Sequence, residues 1–167
     1  RGTENYGMRA LIQANDLDPS TLQSYHIGFI LGPCINASGR LDTAKRSLRL
    51  LLAENAAEAQ QLAKRLNSLN DERKQLTLDA VEEATAMIEK GNDPEGPRES
   101  DRVLVVYLPH CHESIAGIVA GRLRERYGKP TFVVTDGETS AKGSGRSIEA
   151  YSMFEEMVKC QDLFLKF

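Results

Sequence analysis

The sequence predicts an α/β chain whose elements are segregated: an N-terminal helical segment and a long connector helix, then a truncated α/β domain with a mixed sheet. Three observations predict it. Leucines and alanines recur every three or four positions between Leu41 and Met87, the spacing of one helical face. No proline or glycine interrupts residues 55–90. Beyond residue 101 the pattern changes to short β-branched runs, "RVLVVYL" and "TFVVT", separated by a helical stretch. Strand, helix, strand in that order implies a crossover connection and a sheet with helices packed on it.

Residues 6–26 read as one or two short helices broken by "DLDPS" at 16–20, with Asp18 or Ser20 placed to cap the second. "IGFILGP" (27–33) is an apolar run with the look of a buried segment. It feeds "INASGRLDTAKRSL" (35–48), where Ala37, Ser38 and Gly39 lie between Asn36 and Arg40. Small residues with a glycine predict a turn there, ahead of a helix. Leu41, Ala44, Leu48, Leu51 and Leu52 share one face of that helix. Asn55 then opens "NAAE", a capping-box pattern with Glu58.

From Asn55 the stripe Leu62, Leu66, Leu69, Leu76, Ala80, Ala84 and Met87 continues, with Arg73 occupying one turn. It predicts one helix of roughly 35 residues, about 50 Å long at about 1.5 Å per residue. A rigid connector and an ordinary bundle helix satisfy this periodicity equally. "GNDPEGPRES" (91–100) has a linker's composition. A strand at 102–108, a helix at 114–128 closed by Gly128, and a strand at 131–135 follow. A third strand is expected at 143–148 and a last helix at 151–160. The division is therefore 1–54, 55–90, 91–100 and 101–167.

The chain has 167 residues, enough for one ordinary domain or two small ones. Hydrophobic residues make up 41% and charged residues 27%, as in soluble globular proteins. A formal net charge of −3 excludes a global basic field, so any anion site is local. Cys34, Cys111 and Cys160 match no zinc spacing and read as reduced thiols of a cytoplasmic protein. No apolar run is long enough to span a bilayer, and no signal peptide opens the chain. The opening "RGTENYG" and the closing "LFLKF" read as the ends of a piece excised from something larger.

Three stretches carry candidate chemistry. In "KGSGRS", two glycines permit close backbone approach while Lys142, Ser144, Arg146 and Ser147 supply donors, which together suit a phosphate-binding nest. A glycine-rich turn with solvated basic residues fits the same letters. "HCHE" (110–113) stands between a strand and a helix, where α/β ligands often bind. Adjacent ligands converge poorly on a metal, so His112 is expected to cap or orient the helix and to offer at most one contact. Asn36 and Arg40 form the third candidate, with the planar fork of Arg40 suited to phosphate oxygens or to tying a helix to nearby carbonyls. Ala116, Gly117, Ala120 and Gly121 make a small-residue face read as close packing of helix on sheet. Arg122 and Arg126 flank it and are expected to snorkel or pair with carboxylates. Asp42, Asp136 and Asp162 stand singly, so these letters describe a phosphate-handling part without a hydrolytic metal centre.

"IGFILGPCINASGRL" resembles the elbow motif of the RecJ family, bacterial single-strand-specific DNA exonucleases of the DHH phosphoesterase superfamily. "LNDERKQL" (69–76) resembles that family's connecting helix. "HESIAGIVAGRLRERYGKPTFVV" (112–134) and "AKGSGRSI" (141–148) resemble its DHH-associated C-terminal domain. The resemblance runs from about Asn5 to the end. It implies a two-lobed 5′→3′ exonuclease of DNA repair and recombination, with Mn²⁺ or Mg²⁺ held by an Asp-His-His lobe that these residues lack. Single-stranded DNA is the implied partner, with no membrane. On this sequence, Arg40, Ser144, Gly145 and Arg146 would hold the DNA backbone or its 5′ phosphate. Asn36 would shape the elbow near the cleft, with His112 and Ser147 as further contacts. Cys34 departs from the family, where a basic residue is common and adds to the positive field. Two other readings compete: a DHH phosphodiesterase for short oligonucleotides or cyclic dinucleotides, and a non-catalytic scaffold that binds phosphate.

Overall fold

The computed structural model describes residues 3–90 and 96–166. The chain forms two compact units, Arg1–Gln75 and Leu76–Phe167. Residues 91–95 of the expected linker lie outside the described residues. Residues 96–100 are irregular, and Arg98 and Asp101 close a turn there by mutual hydrogen bonds. Among the described residues no helix is long and apolar enough to cross a membrane.

The first unit is helical. Helix α1 (Tyr6–Ala14) starts at Asn5, whose carbonyl-type Oδ1 accepts from the Met8 amide at 2.9 Å. It ends as Asp16 enters the left-handed region at φ 53°, which aspartate tolerates better than most residues. The sequence break at 16–20 holds a single 3₁₀ turn, Pro19–Thr21, and Asp18 caps it through the Ser20 amide. A short helix α2 (Ser24–His26) then runs through a π-helical turn (Ile27–Leu31) into α3 (Gly32–Leu41).

Two expectations fail in this stretch. The apolar run 27–33 is not buried: Ile27 is 59% exposed and Phe29 71%, while Leu31 is 1% exposed. The π turn, a wider winding than α, changes the phase of the helix at this point. Leu31, Cys34 and Ala37 keep the inner face, and Ile27 and Phe29 turn outward. The second failure concerns 35–40, expected as a turn and found inside α3. The corner comes later, at Asp42–Thr43, where Thr43 caps α4 (Ala44–Leu51). Small buried residues at 37 and 38 let α4 pack against α3, and that contact outweighs the weak helix preference of serine and glycine. The Ser38 and Ser47 hydroxyls meet at 2.6 Å, and Ser47 donates to the Ile35 carbonyl at 2.7 Å. Cys34 is fully buried and touches Asn15, Asn67 and Asn70 through its sulfur. Its place is therefore in the core and not on a charged surface.

Helix α5 (Ala56–Lys90) is 35 residues long, as the unbroken stripe predicts. Asn55 accepts from the Glu58 amide at 2.9 Å, and the Glu58 carboxylate pairs with Arg49 at 3.2 Å. Ala59, Leu62, Ala63, Leu66 and Leu69 enter the first unit's core, and Ala80, Ala84 and Ile88 enter the second's. Leu76, expected on the stripe, is 38% exposed and lies beside the boundary between the units.

In the second unit, β1 (Leu104–Tyr107) pairs in parallel with β2 (Thr131–Asp136), and β3 (Ala141–Arg146) pairs antiparallel on the other side of β2. The sheet is mixed, as expected. Helix α6 (Glu113–Tyr127) connects β1 to β2 and ends at Gly128 with φ 65°, the left-handed cap that glycine takes without strain. Leu104, Val106 and Val133 are buried with Val119, Ala120 and Leu123 of α6. On the opposite face Val105 and Tyr107 are about half exposed, which explains the alternation along β1. The last helix, α7 (Met153–Val158), is shorter than expected and is capped by Ser152.

Candidate nucleic-acid interface

The glycine-rich stretch is the first correction at the site. The strand expected at 143–148 is present as 141–146, in register with β2 from Ala141↔Asp136 to Arg146↔Thr131, and the nest suggested for 142–147 is not formed. A nest needs alternating handedness of the backbone, and among the described residues the only glycine at positive φ is Gly128. An extended strand aims successive amides to opposite sides, so they do not converge on one anion as in a nest. The strand also begins two residues before the expected 143.

Extended geometry sorts the side chains by parity. Gly145 and Phe132 are partners across the sheet, and a side chain at 145 would run into Met153 and into Phe132 Cε1 at 2.8 Å. A side chain at 145 therefore needs Met153 and Phe132 to shift, while at Gly143, on the same face, a Cβ would make only ordinary contacts. Lys142, Ser144 and Arg146 point the other way, toward α6. Glu113, Ser114, Ala116, Thr135, Lys142 and Ser144 line a cleft of about 200 Å³ beside the start of α6. The guanidinium of Arg146 lies across the same helix further along: a Cβ on Gly117 would stand 2.7 Å from its Nη2 and 3.3 Å from its Cζ. Arg146 Nη1 donates to its neighbour's carbonyl, Gly145 O, at 2.7 Å, and no carboxylate among the described residues forms an ion pair with it.

The other end of the cleft is charge-compensated. Lys142 pairs with Glu113, and the hydrogen bond between them holds the Glu113 carboxyl below its usual range and the Lys142 ammonium above its own. His112 is the N-cap of α6, as expected, with Nδ1 accepting from the Ser114 amide at 3.3 Å and meeting the Ser114 hydroxyl at 2.7 Å. Thr135 anchors the preceding loop from below by donating to the Cys111 carbonyl. Ser147 stands past the end of β3, and its hydroxyl donates to the Tyr151 carbonyl, so it braces the turn into α7. Asn36 and Arg40, in the first unit, are exposed and lie one turn apart on α3.

Among the described residues no group of three histidine, cysteine or acidic side chains is placed to hold a metal ion. The nearby acids are engaged otherwise: Asp42 with Arg46 at 2.7 Å, Asp136 with the Tyr107 hydroxyl at 2.6 Å, and Glu113 with Lys142. Sequence reasoning missed Glu113 as the partner of Lys142, and it read the glycines of α6 as packing against the sheet. The signal was present in the pair Gly117 and Gly121, but what lies against them is a side chain from β3.

No family model matches the chain. It is 36% identical over 169 residues to the single-stranded-DNA-specific exonuclease RecJ of Salmonella typhimurium, a match that covers 96% of this chain and 28% of that protein. It is 32% identical to the RecJ of Bacillus subtilis, over 100% of this chain and 21% of the relative. The fold superposes on the crystal structure of RecJ from Thermus thermophilus in complex with Mg²⁺ with a TM-score of 0.81 at 32% identity, covering 98% of this chain and 24% of that one. An exonuclease RecJ bound to manganese gives 0.76 at 34% identity, over 96% and 37%. The chain thus spans about a quarter of the length of the curated relatives it matches.

Proposed function

We propose that this chain, RecJ-like over nearly its whole length, is the part of a cytoplasmic single-strand-specific 5′→3′ DNA exonuclease that grips the strand, in DNA repair and recombination. The observation that carries the reading is Arg146: an exposed guanidinium beside Ser144 on one face of β3, bonded to a backbone carbonyl and, among the described residues, ion-paired with no carboxylate. A planar cation held this way suits a phosphate oxygen, at the 5′ end or along the backbone. Ser144 offers a hydroxyl two residues away on the same face, and His112 stands at the head of α6. Arg40 and Asn36 supply a second polar face on α3. Gly145 contributes by its missing side chain, and Ser147 by fixing the turn.

The relatives are solved with Mg²⁺ or Mn²⁺. The acids of this chain named above are paired with cations or a tyrosine and do not fit such a centre, so the metal would be held elsewhere in the parent. What this chain's residues do is bind and orient.

The test is Arg146→Ala in the intact parent enzyme, with single-stranded oligonucleotides bearing 5′ phosphate or 5′ hydroxyl. Losing one charge-assisted contact costs about 1.5–3 kcal/mol. The salt slope of binding becomes shallower by roughly 0.7. Loss confined to the phosphorylated strand assigns the contact to the 5′ end, and equal loss on both assigns it to the backbone. An unchanged slope overturns the assignment.

A further inference from the structure

We propose that Gly117 is a positioning residue for the strand-binding guanidinium: the absence of its side chain is the seat in which Arg146 lies. This rests on the reading of Arg146 as a phosphate ligand. Glycine is the least favoured residue inside a helix after proline, yet α6 carries two, one turn apart, within its buried length. The two are not equivalent. At Gly121 a Cβ would stand 4.0 Å from Arg146 Cγ, an ordinary contact, so alanine fits there. At Gly117 it would stand 2.7 Å from Nη2, 3.3 Å from Cζ and 3.4 Å from Nη1. The whole guanidinium plane, and not just one atom, occupies the volume a methyl group would need.

What would yield is the far end of a flexible side chain, because the backbone on either side is fixed by the α6 helix and the β2–β3 ladder. A methyl group at 117 would therefore displace the guanidinium and leave the fold standing. The bond from Nη1 to Gly145 O, 2.7 Å long, would be lost or bent as the group moved. Gly117 thus acts on bound phosphate through Arg146 and touches no phosphate itself. The effect on binding and the effect on stability should then have opposite signs, since alanine is the better helix former.

The experiment compares Gly117→Ala, Gly121→Ala, Arg146→Ala and the Gly117→Ala/Arg146→Ala double variant in the intact parent enzyme. Binding of a 5′-phosphorylated single-stranded oligonucleotide is measured at several salt concentrations, with melting temperature alongside. Gly117→Ala is expected to weaken binding about tenfold or more, the range of one lost charge-assisted contact, and to flatten the salt slope as Arg146→Ala does. Its melting temperature is unchanged or higher, Gly121→Ala binds like the unaltered enzyme, and the double variant binds no worse than Arg146→Ala. Unaltered binding in Gly117→Ala beside a weakened Arg146→Ala overturns the seat while leaving the phosphate contact in place. A double variant weaker than Arg146→Ala, or a lowered melting temperature in Gly117→Ala, overturns it too, since Gly117 would then act through the fold. Unaltered binding in Arg146→Ala removes the phosphate reading itself.

Discussion

The tripeptide Ser-Gly-Arg occurs twice, at Ser38–Arg40 and at Ser144–Arg146, and the two copies have different structures. In the first unit it is the last part of α3; in the second it is the end of β3. Ser38 is buried against Ser47, whereas Ser144 lines the cleft beside α6. Gly39 is exposed and Gly145 is closed in by Met153 and Phe132. Only the arginines agree, since both are exposed. Three residues without strong preference take whatever conformation their neighbours stabilise: a helix where small side chains admit α4, a strand where β2 offers a full ladder.

The comparison breaks most readily at the glycines. Gly145→Val places a branched side chain where Met153 and Phe132 already stand, and overpacking of this kind costs about 1–3 kcal/mol. Gly39→Ala meets only the Ala44 Cβ at 3.6 Å, and it removes a helical glycine worth up to about 1 kcal/mol relative to alanine. Urea denaturation should therefore move in opposite directions for the two. Shifts of the same sign would mean that the copies are not conformationally distinct.

The serines give a smaller contrast. Ser38→Ala removes one partner of a buried hydroxyl pair and should destabilise by about 1 kcal/mol, the usual net value of such a bond. Ser144→Ala should leave the melting temperature in place and weaken strand binding. Equal melting temperatures for the two variants would show that the Ser38–Ser47 contact contributes nothing.

The smallest effect sharpens the comparison through ion pairs. Arg46 and Asp42 are an i,i+4 pair within one stretch of chain, while Lys142 and Glu113 join β3 to α6. The latter pair holds the Glu113 carboxyl below its ordinary 4.5 and the Lys142 ammonium above its ordinary 10.5. Its stabilisation is full above 4.5 and below 10.5. It fades as pH falls through the lowered Glu113 value, and again as pH rises through the raised Lys142 value. Both groups are on the surface, so salt should weaken the effect. NMR titration of Glu113 should show its midpoint rising toward 4.5 in Lys142→Met. An unmoved midpoint would mean that the pair does not form.

Local chemistry by itself determined much of this molecule. The 35-residue helix follows from an unbroken stripe of leucine and alanine, because a helical face needs only residues close in sequence. The order β1, α6, β2, the cap at His112 and the stop at Gly128 were legible for the same reason. So was the candidate arginine of the glycine-rich stretch, though not its surroundings. Tertiary structure alone decided that Ile27 and Phe29 face outward, because a π turn shifts the phase of a helix without marking the sequence. It decided that the first Ser-Gly-Arg copy is helix and not the expected turn, because packing against α4 outweighs propensities of at most about 1 kcal/mol per residue. It also brought Arg146 onto Gly117 and Lys142 onto Glu113, since such contacts join segments that no periodicity connects.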